Sequence, residues 1–353
     1  MSLSPISEIY QLNSKMSNLL VTINLVVLNG KKYIRHCLKA VKEQTYPNLE
    51  VNVFDNGSTD GTKEIVLQEF PQFNLIESSR NLGTWPGQEK ALESSHGKYI
   101  VALSVDVLMK PTAVAKAVEV MEKDKTIGGL EAKILQYKIE NDIVQKTNLI
   151  DTIGFQIFRS RRVINLGHGE EDRGQYDQEK EIFAVEGAAP IFRKSALEEL
   201  RVLGEIADRE MFWYGDDLDL SWRMRLFGWK QVYSSEVVMY HDRSTTKGMS
   251  GGWKDYFLRI ADRKKIPTFK KRLDWRNKRL ARIKNDYWQN VLRDFLPICW
   301  REIQELGYIV LFEPRVLLEI PKLIRLLPRT LKKRQVILAR AKAGPKDMAH
   351  WFI

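Results

Sequence analysis

The feature that most constrains this chain is a strict alternation of apolar runs and amphipathic stretches over its first 110 residues. LLVTINLVVLNG (19–30) is continuously apolar and rich in β-branched residues, the pattern of a parallel strand buried on both faces. KKYIRHCLKAVKEQ (31–44) follows with apolar residues at 34, 37, 38 and 41, one face of a helix, and TYPN stops it. The cycle repeats: LEVNVFDNGSTDGT (49–62) is a strand entering a polar turn and KEIVLQEF a helix. FNLIESSRNLGT is a strand and loop, GQEKALESS a helix, and KYIVALSVDVLM a fourth strand. Such β/α alternation predicts a mostly parallel, doubly wound sheet whose ligand site lies at the carboxyl ends of the strands.

Those strand ends carry polar groups: Leu28-Asn29-Gly30, Asp55-Asn56-Gly57-Ser58, Arg80-Asn81-Leu82-Gly83 and Ser104-Val105-Asp106. A single DNGS turn is ordinary loop chemistry; four such ends converging on one sheet edge describe a binding site. Neither a Gly-x-Gly-x-x-Gly nor a Walker sequence follows the first strand, which argues against a dinucleotide or P-loop site. Further on, YGDDLDLSWRMRLFGW (214–229) spends Asp216, Asp217 and Asp219 on one helical turn. Acidic residues there complement the helix dipole, and a carboxylate fixed at a helix start also suits a general base.

The +11 net charge is unevenly spread. Residues 242–353 hold 27 Lys and Arg against 11 Asp and Glu, so the preceding part of the chain is net acidic. DYFLRIADRKKIPTFKKRLDWRNKRLARIKNDYWQNVLRDFLPICW (255–300) and PKLIRLLPRTLKKRQVILARAK (321–342) read as helices, broken at Pro267 and Pro297, that mix aromatic anchors with basic stems. That composition fits an anionic membrane interface, or else a basic bundle packed on the core. No RRM, KH, helix-turn-helix or zinc-finger pattern points to nucleic acid. Cys37 and Cys299 form neither a disulfide framework nor a zinc cluster, consistent with a reducing compartment. No secretory leader and no apolar window of membrane-spanning length is visible, so the expected location is cytoplasmic, peripheral at the inner face of the cell membrane.

Taken in order, VVLNG, VFDNGSTDGT, SRNLGTWPGQ, LSVDVLMKP, GHGEEDRGQYD, VEGAAPIFRKSALEELRVLGEI, MFWYGDDLDLSWRMRLFGW and VVMYHDRSTT resemble the family 2 glycosyltransferases of the GT-A fold, particularly bacterial rhamnosyltransferase-type enzymes of surface polysaccharide assembly. The resemblance implies three parts: an N-terminal tail (1–18), a GT-A domain (19–250) and a basic helical region (251–353). It implies a nucleotide-sugar donor, dTDP-rhamnose or a UDP-sugar, and a glycan or lipid-linked glycan acceptor. It also implies a divalent cation, Mn²⁺ or Mg²⁺, and inversion at the anomeric carbon.

Residue by residue, Leu28, Asn29, Asp55, Arg80, Gly83, Ser104 and Asp106 are placed on the donor side. Asp106 matches the second carboxylate of the family's metal-binding Asp-x-Asp, whose first position here is Ser104, and His241 matches an additional metal ligand. Asp217 matches the catalytic base, with Asp216 in the usual Glu position. Gly187, Ala188 and Trp222 are placed toward the acceptor, although Trp222, with Met224 and Leu226, is expected mainly to pack. Asp219 is expected to cap the helix, the role of Gln88 is open, and GHGEEDRGQYD is either a moving flap or a plain surface loop. All active-site residues are expected before 250. Two other readings stay open: a catalytically dead glycan-binding or scaffold protein, which Ser104 favours, and a nucleotidyltransferase.

Overall fold

A computed structural model describes residues 18–243, 263 and 266–353. The N-terminal tail, Ser244 to Thr246 of the VVMYHDRSTT motif and most of 247–265 lie outside the described residues. Four strands, β1 (Val21–Val27), β2 (Leu49–Asp55), β3 (Asn74–Glu77) and β4 (Tyr99–Ser104), pair in parallel in the order β3-β2-β1-β4. Between them run α1 (Ile34–Lys42), α2 (Thr62–Glu69) and α3 (Thr84–Leu92). On α1 the four apolar positions read from the sequence, Ile34, Cys37, Leu38 and Val41, are all buried, because spacings of three and four put them on one face.

KYIVALSVDVLM, expected as one strand, is two. It breaks at Val105-Asp106, and β5 (Val107–Met109) leaves the parallel set to pair antiparallel with β12 (Lys230–His241), His241 opposite Val107. This break lifts Asp106 out of the ladder at the sheet edge and brings it beside His241.

After α4 (Ala113–Lys123), the sheet continues with β6 (Ile127–Glu140) and β7 (Ile143–Thr152), joined by a two-residue turn in which Asn141 and Asp142 both have positive φ, the geometry that matches strand twist. A small pair, β8 (Phe155–Ile157) and β9 (Val163–Asn165), and the short β10 (Lys180–Glu181) precede β11 (Ile191–Arg193). The last of these lies antiparallel between β4 and β6, and β12 runs parallel to β6 on the far side. One face of the sheet buries Ile23, Leu25, Leu103 and Ile134 under α1, α2 and α4. The other packs on α3, α5 (Lys194–Glu199) and α6 (Asp216–Leu226).

The C-terminal third is α7 (Thr268–Asn285), α8 (Trp288–Arg293), α9 (Phe295–Phe312), a 3₁₀ turn (Pro314–Glu319), α10 (Ile320–Arg340) and α11 (Pro345–Ala349). Pro267 precedes α7 as its N-cap, as expected, but Pro297 sits inside the first turn of α9, where a missing N–H costs nothing. The chain instead turns at Asp286 and Asp294, both buried, where Arg161 forms ion pairs with each at 2.7 and 2.8 Å. Nor is 321–353 a detachable extension: Ile337, Met348 and Phe352 belong to the same buried cluster as Trp222 and Phe183. Burying a side chain such as Phe352 contributes about 1.5–3 kcal/mol, so removing this segment opens the body. Among the described residues no helix is long and apolar enough to cross a membrane.

Candidate active site

A cleft of about 590 Å³ opens at the carboxyl ends of the parallel strands. One bank is made of strand ends: Leu28, Asn56, Asn81, Gly83, Ser104, Val105 and Asp106. The other carries Glu186, Gly187, Ala188, Phe212 to Asp217 and, from α7, Lys270, Asp274 and Lys278. The expectation that every active-site residue precedes 250 therefore gives way, because α7 folds back to form part of the wall.

On the strand bank, Asn56 organises the loop after β3. Its Nδ2 donates to Asn81 Oδ1 (3.0 Å) and the Gly83 carbonyl (3.1 Å), and its Oδ1 accepts from Leu82 N–H (2.8 Å). Gly83 has φ +97°, and a Cβ there would meet the Phe212 carbonyl oxygen at 2.3 Å, so only glycine lets the two banks touch. Asp55 is buried at the end of β2. One oxygen accepts from Ser58 N–H (3.1 Å) and the other, Oδ1, has no partner among the described residues, an acceptor aimed at nothing the protein supplies. Asn29, with φ +51°, spends its side chain on Thr59 N–H (2.9 Å) and does not line the cleft; Arg80 is exposed and also stands outside it. Gln88 is buried, donating to the Asn24 carbonyl, a structural contact.

At the end of the cleft Asp106 Oδ2 lies 3.4 Å from His241 Nε2. His241 Nδ1 donates to Asp151 Oδ2 at 2.8 Å, and Asp151 also pairs with Arg243 (2.9 Å), whose other arm reaches Glu186 Oε1 at 2.8 Å. Burial works against charge on His241, yet the Asp106 carboxylate and then Asp151 push it up to about 10. Burial likewise opposes Asp151, but hydrogen bonds from His168 and His241 and the Arg243 charge hold its carboxyl well below the usual range. Because Asp151 can only accept, it fixes the proton on Nδ1, and Nε2 faces Asp106. With its pKa raised, His241 also carries a proton on Nε2, toward Asp106; a divalent cation would displace that proton, and the nitrogen and the carboxylate would then be its donors. Among the described residues no group of three or more His, Cys, Asp or Glu could hold a metal, so Asp106 and His241 are the pair that stands there. Asp151, Glu186 and Arg243 were not singled out from the sequence; only Glu186 and Arg243 lie inside stretches that carry the family resemblance, VEGAAP and YHDRSTT.

The opposite bank holds the acidic turn. Phe212, Tyr214 and Gly215 all have positive φ (+63°, +68° and +73°), a strained approach to α6 that costs about 1–3 kcal/mol at each non-glycine position. Asn277 of α7 holds it, its Nδ2 lying 2.7–2.8 Å from the carbonyls of Met211, Trp213 and Tyr214. Asp217 is partly exposed to the cleft and accepts from Leu218 N–H at 2.7 Å, with Gly187 packed against it. Burial, then the charges of Asp216 and Glu186, pushes Asp217 up to about 8; burial also raises Asp216, which is largely buried at the cleft wall.

Asp219 is not the cap it was expected to be. It lies in the first turn but turns inward and is buried, accepting from Asn285 Nδ2 (2.7 Å) and Arg223 Nη2 (2.9 Å) and pairing with Lys284 (3.0 Å). Trp222 is fully buried against Phe183 and Phe352, so its placement toward the acceptor is replaced by packing alone. In GHGEEDRGQYD, Lys133 pairs with Asp172 and Asp177 and His168 contacts Asp151, which pins the loop beside the site without its lining the cleft.

The described geometry has counterparts among known proteins. The chondroitin synthase of Escherichia coli is 31% identical over 134 residues, which make up 37% of this chain and only 18% of that relative. A mannosyltransferase from Pyrobaculum calidifontis, solved with GDP-Man and Mn²⁺, superimposes with a TM-score of 0.50 at 17% identity, covering 96% of this chain and 94% of that one. TarS residues 1–349 from S. aureus give 0.51 at 16%, covering 94% and 86%. At such identities the structures speak for the fold alone, and that fold is GT-A. The profile described as "Glycosyl transferase family 2" matches residues 22–201, about half of the chain, and the chain belongs to that family.

Proposed function

We propose that this chain is a metal-assisted, inverting glycosyltransferase that moves a sugar from a nucleotide-diphosphate donor to a glycan or lipid-linked glycan in surface polysaccharide assembly, working peripherally at an anionic membrane. The observation that carries this reading is that one cleft is lined by Asp217 on one bank and by the Asp106–His241 pair on the other. Residues 19–250 would form the transferase domain, with 251–353 as a basic helical region that completes its wall.

Donor contacts fall to the strand bank. Leu28 faces the nucleotide and Gly83 allows close approach, whereas Asp55, Arg80 and Asn29, which do not line the cleft, are assigned to the donor by the sequence resemblance alone, the unpartnered Oδ1 of Asp55 being an acceptor that suits an N–H of the base or a ribose hydroxyl. Asp106 and His241 Nε2 would hold Mn²⁺ or Mg²⁺, with Ser104 supplying no charge beside them. A cation held there would supply charge neutralisation for the departing diphosphate. The Mn²⁺ of the mannosyltransferase complex supports this assignment.

Asp217 then takes the proton of the attacking hydroxyl, its raised pKa bringing it nearer the working pH of a general base. Asp216 sustains that shift by its charge. Gly187 and Ala188 border the acceptor, and the paired rings of Trp213 and Tyr214, 4.7 Å between centroids, offer it a stacking surface. A single base and a single displacement give inversion. Among donors, dTDP-rhamnose follows from the sequence resemblance, with UDP-sugars next.

Nucleotide sugars screened with Mn²⁺ or Mg²⁺ test this. Stabilisation by one donor, with release of its nucleoside diphosphate that stops in EDTA, is the expected result. Donor binding without turnover under any condition would make the chain a scaffold, and pyrophosphate release from an NTP would make it a nucleotidyltransferase.

A further inference from the structure

The acidic and basic side chains of the C-terminal third are sorted by direction. Glu302 and Glu305 of α9 pair with Arg279 and Arg282 of α7, and Glu313 and Glu319 pair with Lys271, Arg272 and Arg276 of the same helix. Every carboxylate between 295 and 320 is thus turned inward. Arg315, Lys322, Arg325 and Lys332 are exposed and, among the described residues, none of them enters an ion pair. These four cations face out without a carboxylate partner among the described residues.

The outward side of α9 is apolar. Leu296, Trp300, Ile303 and Leu311, at spacings of four, three and eight, lie on one stripe opposite Glu302, Glu305 and the buried Ile309. They are 78%, 63%, 62% and 74% exposed, where a soluble surface would carry polar groups. Gly307 continues the stripe with nothing near it. The helix is 18 residues long, roughly 27 Å, and carries charge on its inner side, so it is built to lie along an interface and not to cross one.

We propose that the stripe of α9, together with the exposed cations of the 3₁₀ turn and α10 that follow it in the chain, is the element that docks this chain on an anionic bilayer, with Trp300 and Leu296 sinking into the headgroup boundary. The occupant follows from charge: exposed cations without carboxylate partners, following in the chain directly after a helix with bare apolar side chains, complement anionic headgroups over acyl chains. This assignment rests on the peripheral placement proposed above, but not on the donor or metal chemistry.

Flotation of the full chain with vesicles of phosphatidylcholine, with and without about 30% phosphatidylglycerol, tests it. Wild type should favour the anionic vesicles by about tenfold or more, since each cation near the surface adds about 1 kcal/mol. Leu296→Ser/Trp300→Ser/Leu311→Ser should lower binding at least tenfold with thermal melting unchanged, because all three side chains are exposed. Lys322→Glu/Arg325→Glu should remove most of the preference for anionic lipid.

Equal binding of wild type and the triple serine variant would overturn the docking face while leaving the peripheral placement standing. No wild-type binding to either vesicle would overturn both. A concentration-dependent dimer in wild type that the triple variant abolishes, without vesicle binding, would assign the stripe to a second copy and overturn the proposal. Turnover of a nucleotide sugar on a soluble acceptor without vesicles reads the transferase assignment separately.

Discussion

The two banks of the cleft are built in different ways. The strand bank is positioned by backbone pairing: Leu28, Ser104 and Asp106 line the cleft where parallel strands in fixed register end, and Asp55 lies buried at the end of β2 without lining it. The opposite bank is a strained loop held by side chains from far along the sequence, Asn277 on three carbonyls, Arg276 on the Glu210 carbonyl, and Lys284 and Lys333 on Asp208. A bank set mainly by backbone pairing, with Asn56 and Gly83 fixing its loop, suits a constant part such as a nucleotide. A bank assembled by side chains can hold a catalytic carboxylate in an unfavourable environment, because the remainder of the fold sustains its strain.

The first way to break this division is Asp217→Asn. Transfer should fall by about 10²–10⁴, the usual worth of a general base, while nucleotide binding, measured by calorimetry, stays within a few-fold of wild type. If nucleotide binding fell as far as transfer, the two banks would not divide the work. Asp106→Ala is the mirror experiment. It should weaken metal-dependent nucleotide binding by about 10–100-fold or more, and His241→Ala should do so less, because one carboxylate ligand still remains. Activity undiminished in EDTA would remove the cation from the strand bank.

The strand bank was legible in the sequence because its signals are local. A β-branched run followed by Asp-Asn-Gly or Ser-x-Asp states both the strand and what stands at its end. The break between β4 and β5 was not legible, since VALSVDVLM is apolar on both sides of Asp106 and only pairing with β12 divides it. Asp219 and Trp222 were misplaced for a related reason. Both lie in the helix that carries the candidate base, but their partners, Lys284, Asn285 and Phe352, are more than 60 residues away. A basic, aromatic C-terminal segment reads as a membrane element from composition. That Arg276, Asn277 and Lys284 face inward depends on which carbonyls and carboxylates α7 meets.

Asn277→Ala sharpens the comparison further. The substitution takes the side-chain donor from the Trp213 and Tyr214 carbonyls, while the Met211 carbonyl keeps Trp213 N–H, and unmet hydrogen-bonding groups that are buried cost about 1–3 kcal/mol. A melting-temperature drop with kcat reduced and nucleotide affinity retained is expected. Loss of stability with kcat unchanged would show that the clamp supports the fold and not the base.

The smallest effect is the most specific. Asp217 must be ionised to accept a proton, and its pKa is raised by burial first and by the Asp216 charge second, so the rate should climb with pH toward about 8. Asp216→Asn removes that neighbouring charge, which makes the Asp217 carboxylate easier to form. The acid limb of kcat/KM should therefore move to lower pH, and the variant should retain a larger fraction of its own plateau activity near pH 6 than wild type does. Glu186→Gln should shift the limb in the same direction by less, because its charge is the weaker of the two influences. Substitutions on the strand bank, such as Ser104→Ala, should leave the limb where it is, since Ser104 carries no charge to remove. A limb that stays fixed in Asp216→Asn, or moves upward, would mean that the ionisation controlling the rate belongs to another group, and the raised carboxylate on the clamped bank would lose its role as base.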